Sequence, residues 1–282
     1  MPAPHTQSLE QIHARERAFW NNAAAEACKN LTPEPYRLTL TDLSDPAMPW
    51  LPYMGVPAYV QCLFDCLGDL RGKKVLDIGA GTGFFSVALA LRGAQVTSTD
   101  IAEQALEIGR YRARASGVED RIEFKVAASE RLDFPSGSFD AVSGLFILHH
   151  LDLKIAAPEI RRVLKADGKA AFVETCARNP LLMFFRRTLT GRFGISKASS
   201  DDEAPLDESA EAILRQTFGN AVHYHYPELM FFRMGAANVP IFRKQPFMMT
   251  MRAVDRALWL VPACRSLSYF VTLELGSSDT RV

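Results

Sequence analysis

From Lys74 onward, short apolar runs alternate with stretches in which apolar residues recur every three or four positions. KVLDIG (74–79), AQVTSTD (94–100), RIEFKVAA (121–128), FDAVSGLFIL (139–148) and KAAFVET (169–175) read as strands. Between them, FFSVALALR (84–92), AEQALEIGRYRARA (102–115) and KIAAPEIRRVL (154–164) read as helices, the last with Pro158 near its start. Strands and helices alternating at these lengths predict a parallel sheet joined by right-handed crossovers. Upstream, Leu9, Ile12, Phe19 and a run of alanines give residues 8–29 one helical face, and Ala58–Leu70 reads as a second helix. The stretch between Pro33 and Pro57 is rich in proline and reads as irregular. After Glu174 the alternation is lost. A basic and apolar stretch and the acidic SSDDEAPLDE are followed by a helix over 208–217 and a strand over 221–226. A second apolar and basic stretch, 233–265, leads into RSLSYFVTLEL, which reads as a closing strand.

The first strand opens into glycines at 79, 81 and 83. A dinucleotide fingerprint needs G-x-G-x-x-G and a helix N-terminus aimed at a diphosphate, whereas G-x-G-x-G makes a wider bend. Asp77, two residues ahead of the first glycine, repels a pyrophosphate and attracts an ammonium. Asp100 closes the second strand about twenty residues on, where a carboxylate takes both ribose hydroxyls. The ligand these residues describe is a ribonucleoside carrying a cation, and S-adenosylmethionine fits that description.

Composition narrows the class further. Lys+Arg and Asp+Glu number 32 each, so no global field favours nucleic acid, and no nucleic-acid partner is expected. Apolar residues at 48% and charged residues at 23% are ordinary for a soluble globular chain. The N-terminal residues lack the apolar core of a signal peptide, and no run reaches the ~18 apolar residues of a spanning helix. Cys28, Cys62, Cys66, Cys176 and Cys264 read as reduced thiols of a cytoplasmic protein. Cys62 and Cys66 form an i,i+4 pair, set aside as too isolated for zinc. His223 and His225 lack an evident third ligand, so no metal is expected.

DIGAGTG, TD at the end of the second strand, FPSGSFD before the fourth, LHHL after it and EIRRVLKADGKAAFVE together resemble the class I S-adenosylmethionine-dependent methyltransferases. The resemblance is greatest to the small-molecule subgroup of quinone and natural-product enzymes, and it spans about residues 70–175. It implies an α/β, Rossmann-like, doubly wound sheet of seven strands with the last antiparallel. It also implies an N-terminal helical lid over 1–70, a cofactor-binding core over 71–176, and an acceptor-specificity insertion with closing strands over 177–282. By resemblance, Asp77 holds the methionine amino group, and Gly79, Ala80, Gly81 and Gly83 let the backbone approach methionine and ribose. Asp100 takes the ribose hydroxyls and Ile101 packs on the adenine face. The chain departs from the family at Ala127 and Ala128, where Gly-Asp is usual. Ser129, Glu130 or the backbone around Ala128 is then left to read the purine. The activity implied is methyl transfer to an oxygen or carbon of a small, apolar acceptor. The alternatives are an inactive binding or scaffold protein of the same fold, and an RNA or protein methyltransferase. The absence of an N/D-P-P-Y/F run counts against the last of these.

Transfer from a sulfonium needs an aligned acceptor and, for a phenol or enol, a base. His149 and His150 follow the fourth strand and are the candidate bases; the competing reading makes LHHL a packing turn. On extended chain, adjacent histidines face opposite sides, so one of the two is expected to enter the cleft. Phe146 is expected beside the methionine, in an acceptor pocket shared with Phe19, Trp20 and the 177–206 insertion. Asp201, Asp202 and Glu203 read as a solvated charge run rather than a magnesium site. Arg178, Arg186, Arg187, Arg192 and Lys197 are interleaved with apolar residues, as are the arginines of 233–265. Three readings stand for these segments: a cap packed on the core, a cap that admits a lipophilic acceptor and touches an anionic membrane, or a nucleic-acid surface, which the zero net charge and the lack of a recognised RNA module count against. The sequence leaves the oligomeric state open.

Overall fold

The structure, a computed structural model, describes residues 8–28, 37–39, 57–189, 205–233 and 245–276. The proline-rich stretch between Pro33 and Pro57 lies almost wholly outside the described residues. So do Arg192, Lys197, Asp201, Asp202, Glu203 and residues 234–244. Seven strands, β1 (Lys74–Ile78), β2 (Gln95–Asp100), β3 (Ile122–Val126), β4 (Phe139–Leu145), β5 (Leu164–Thr175), β6 (Val222–His225) and β7 (Phe270–Leu275), form one sheet of order β3-β2-β1-β4-β5-β7-β6. β1 runs parallel to β2 and β4, and β2 parallel to β3. β7 is antiparallel to both β5 and β6. This is the Rossmann-like, mixed seven-stranded arrangement with an antiparallel last strand.

The described chain divides into two compact units, and β5 runs from one into the other. The first unit holds β1–β4 with α1 (Leu9–Cys28), α3 (Phe84–Leu91), α4 (Glu103–Ala115) and most of α5 (Leu153–Val163). Val75, Leu76 and Ile78 are fully buried, as a strand with neighbours on both sides requires. Small residues let α1 lie close on α4, with Ala24 packed among Ala102, Ala105 and Ile108. Pro158 sits past the first turn of α5, where it removes one helical hydrogen bond.

The second unit holds α2 (Pro57–Leu67), the end of β5, β6, β7, α6 (Pro180–Leu189), α7 (Glu208–Phe218), α8 (Gln245–Trp259) and the short α9 (Pro262–Arg265). Buried Tyr59 on α2 shares a 2.6 Å hydrogen bond with Ser268, and Thr272 of β7 donates to the Tyr59 carbonyl at 2.9 Å. Asp255 of α8 accepts from the backbone N–H groups of Phe231, Phe232 and Arg233, which anchors the helix to the chain ahead of it.

Several element boundaries differ from the sequence expectation: the helix read over Ala58–Leu70 ends at Leu67, and the closing strand read from RSLSYFVTLEL begins only at Phe270. β4 ends at Leu145, not Leu148, because Phe146 adopts φ +55° and the chain turns into a 3₁₀ segment over Leu148–His150. β5 begins at Leu164, five residues before KAAFVET.

Candidate active site

In the first unit, the ends of β1 and β2 lie side by side, with Asp77 paired to Ser98 and Ile78 to Thr99. Asp77 is wholly buried in a strand otherwise apolar, and Ser86 of α3 donates to its Oδ2 at 2.5 Å. Its other oxygen, Oδ1, is buried with no partner. Burial pushes the carboxyl up from 3.8 to about 7; the Ser86 bond opposes the shift and the nearby Asp100 charge adds to it. A buried carboxylate oxygen without a donor is costly, and a cationic ligand atom relieves that cost.

Asp100 is held by two backbone donors, Gly81 N–H to Oδ2 and Ala102 N–H to Oδ1, both at 2.8 Å. A carboxylate offers about four acceptor positions, so both oxygens keep capacity for hydroxyl donors. The glycines divide the labour. Gly81, at φ +51°, has open space where a Cβ would stand, which suits a ligand cradle. Gly83, at φ +70°, would place a Cβ 2.6 Å from the Gly109 Cα of α4. Helix packing against Gly109 therefore requires glycine at position 83. Gly79, at φ +62°, also lies in the left-handed region, and Ala80 N–H donates to the Thr99 carbonyl at 3.0 Å.

Two of the remaining first-unit positions, Ile101 and Glu130, touch α1. The Ile101 carbonyl accepts from Arg17 Nε at 3.2 Å. Ala128 opens the turn after β3, its carbonyl bonded to Arg131 N–H at 3.1 Å. Ser129 and Glu130 are buried, and Glu130 Oε2 meets His13 Nε2 at 3.1 Å. The contacts of His13 and Arg17 were not foreseen, because no local pattern links α1 to loops over eighty residues away.

Phe146, His149 and His150 lie in the second unit. The Phe146 ring meets Phe270 edge-on at 5.5 Å, and its N–H donates to the Val173 carbonyl at 2.8 Å. Positive φ in a bulky residue is strained, a feature that concentrates at functional sites. His149 and His150 do not face opposite ways: on the 3₁₀ turn their rings lie 4.4 Å apart, tilted by 34°. His149 Nδ1 is 2.7 Å from Oε2 of fully buried Glu174, whose Oε1 accepts from Ile147 and Leu148 N–H at 2.8 and 2.7 Å. Glu174 was missed. Its signal was an acid at the end of the otherwise apolar strand KAAFVET.

Residues 76–172 match the family described as a methyltransferase domain. With the sheet order above, that stretch is similar to the class I S-adenosylmethionine-dependent methyltransferases of the small-molecule type. The chain is similar to a ubiquinone biosynthesis O-methyltransferase of Idiomarina loihiensis, with 45% identity over 39% of this chain and 45% of that protein. It is similar also to a demethylmenaquinone methyltransferase of Clavibacter sepedonicus, with 40% identity over 38% of this chain and 43% of the other. The chain spans about half the length of the curated relatives it matches. Among solved structures, a geranyl diphosphate C-methyltransferase from Streptomyces coelicolor superposes with a TM-score of 0.57 at 15% identity, covering 94% of this chain and 98% of that one. At that identity the likeness concerns the fold.

Proposed function

We propose that the protein moves a methyl group from S-adenosylmethionine to an oxygen or carbon of a small, lipophilic acceptor of the quinol or phenol kind. The buried, unpartnered oxygen of Asp77 carries the cofactor part of the reading, because it provides an anion where the methionine ammonium is expected. Asp100 takes the ribose hydroxyls, Gly79, Ala80 and Gly81 form the backbone cradle, and Ile101, Ala128 and Ser129 surround the adenine. When bound, the cofactor supplies the electrophilic methyl group. The relatives named for ubiquinone and menaquinone support a quinol-type acceptor.

His149 is the residue proposed to hold the acceptor's proton, with Glu174 fixing its orientation through Nδ1. His150 stacks on it and Phe146 contributes an apolar wall. The exposed apolar residues of α6 and α8, with Leu260 and Val261 just after α8, fit a protein that works against a membrane surface, where such acceptors reside. Among the described residues no helix is long and apolar enough to cross a membrane.

The test is turnover of methyl-labelled cofactor against quinols, phenols, amines and fatty acids, with calorimetry of cofactor binding alongside. Binding at micromolar affinity is expected, weakened by about 1–3 kcal/mol in Asp100→Ala through lost hydroxyl bonds. Label should enter a quinol or phenol, and His149→Ala should lower kcat by about 10²–10⁴-fold with cofactor affinity unchanged. Absence of cofactor binding defeats the whole reading. Transfer to amines alone defeats the acceptor class.

A further inference from the structure

The i,i+4 spacing of Cys62 and Cys66 puts both thiols on one face of α2. Sequence distance hid what the fold brings to them. His225, the last residue of β6, arrives beside the pair, and one ligand atom from each of the three residues lies within 4.8 Å of the others. We propose that Cys62, Cys66 and His225 bind one zinc ion.

Three observations carry this. The donor set is right: two thiolates and an imidazole select zinc or another soft ion over magnesium or calcium. A tetrahedral zinc holds such ligands about 3.5–3.8 Å apart, so the three need to close by only about 1 Å. The imidazole also has a carboxylate partner. Glu274 of β7 stands two residues from Thr272, the residue paired with His225, and its Oε2 engages His225 Nε2 at 2.9 Å. That leaves Nδ1 for the metal, in the carboxylate–imidazole–metal arrangement that tunes many zinc sites. Lys169 Nζ, at 3.4 Å from Glu274 Oε1, holds the other carboxylate oxygen. Access is present too: Cys66 is buried, while Cys62 and His225 are partly exposed. The three residues complete a tetrahedron but for one position, which water or a further ligand fills. The ion would fasten the edge strand β6 to α2 and so close one margin of the sheet.

The probe is Co²⁺, titrated into reduced full-length protein stripped of metal and free of any histidine tag. One equivalent per chain is expected, with a thiolate-to-cobalt charge-transfer band, tetrahedral d–d bands and displacement by Zn²⁺. Zinc should shield two thiols from a thiol reagent. Cys62→Ser, Cys66→Ser and His225→Ala should each weaken binding at least tenfold, and Glu274→Gln about tenfold. Cys264→Ser should leave it unchanged. Failure of the wild-type protein to give the charge-transfer band overturns the proposal whatever the variants do. So does a spectrum that survives both Cys62→Ser and His225→Ala, or recovery of Cys62 and Cys66 as a disulfide that takes no metal after reduction.

Discussion

At the scale of single residues, Asp77 sets how the protein responds to pH. Its folded pKa is raised by burial from 3.8 to about 7, so the native state holds a proton there that the unfolded chain releases. Free of ligand, the protein therefore loses stability as pH rises through the window between these two values. Binding an ammonium reverses the preference, since only the anion attracts it. Cofactor affinity should accordingly rise between pH 5.5 and 7.5, approaching tenfold per pH unit at the acid end. Above that range the cofactor's own amino group begins to lose its proton. Asp77→Asn should bind more weakly and flatten the dependence, as isothermal titration at four pH values would show. A flat wild-type profile would remove Asp77 from the ammonium site. The sequence announced this residue by an acid in an apolar strand; Ser86 was missed, though it is the one hydroxyl in FFSVALALR.

At the scale of elements, the DIGAGTG turn does two separate things that one motif conceals. Gly83 answers to Gly109 of α4 and Gly81 to empty space, though both have positive φ. Gly83→Ala should cost about 1–2 kcal/mol for the left-handed backbone and about 1–3 kcal/mol more for overpacking, seen as a lower midpoint in urea. Gly81→Ala should incur only the backbone cost while losing cofactor affinity disproportionately. Equal losses of stability in the two variants would contradict this division. Periodicity made the alternating core legible because each strand and helix there buries its own apolar face. It misjudged the end of β4, since a left-handed Phe146 has no sequence signature and FIL extends the apolar run. The histidine pair was misoriented for the same reason: strand geometry was assumed where a 3₁₀ turn stands.

At the scale of the whole molecule, what escaped the sequence is contact between distant segments. His13 with Glu130, and His225 with Cys62 and Cys66, are joined by topology alone. The basic stretches flanking the closing strands show the converse, for local composition overstated their free charge. Arg178 pairs with Glu211, Arg186 with the Tyr269 hydroxyl, and Arg265 lies over Trp259 at 4.5 Å. Within the second unit, Arg252 and Arg256 of α8 are exposed, and so is Met249 at 68%. Leu260 and Val261 follow at the end of the helix, also exposed. α6 adds Leu181, Phe184 at 60% and Phe185, and Asn179, just ahead of it, is tied to the Leu267 carbonyl at 2.8 Å. An apolar surface of this kind inserts into a bilayer interface, and each basic residue near anionic lipid adds about 1 kcal/mol. Two exposed arginines thus contribute about 2 kcal/mol, roughly thirtyfold in partitioning. The protein should float with phosphatidylserine-containing vesicles at low salt and float less at high salt, with residual binding from the apolar part. Phe184→Ser with Met249→Ser should remove that residual, while Arg252→Gln with Arg256→Gln should remove the salt dependence. Failure to float with anionic vesicles at low salt would make these helices a plain cap and favour a water-soluble acceptor.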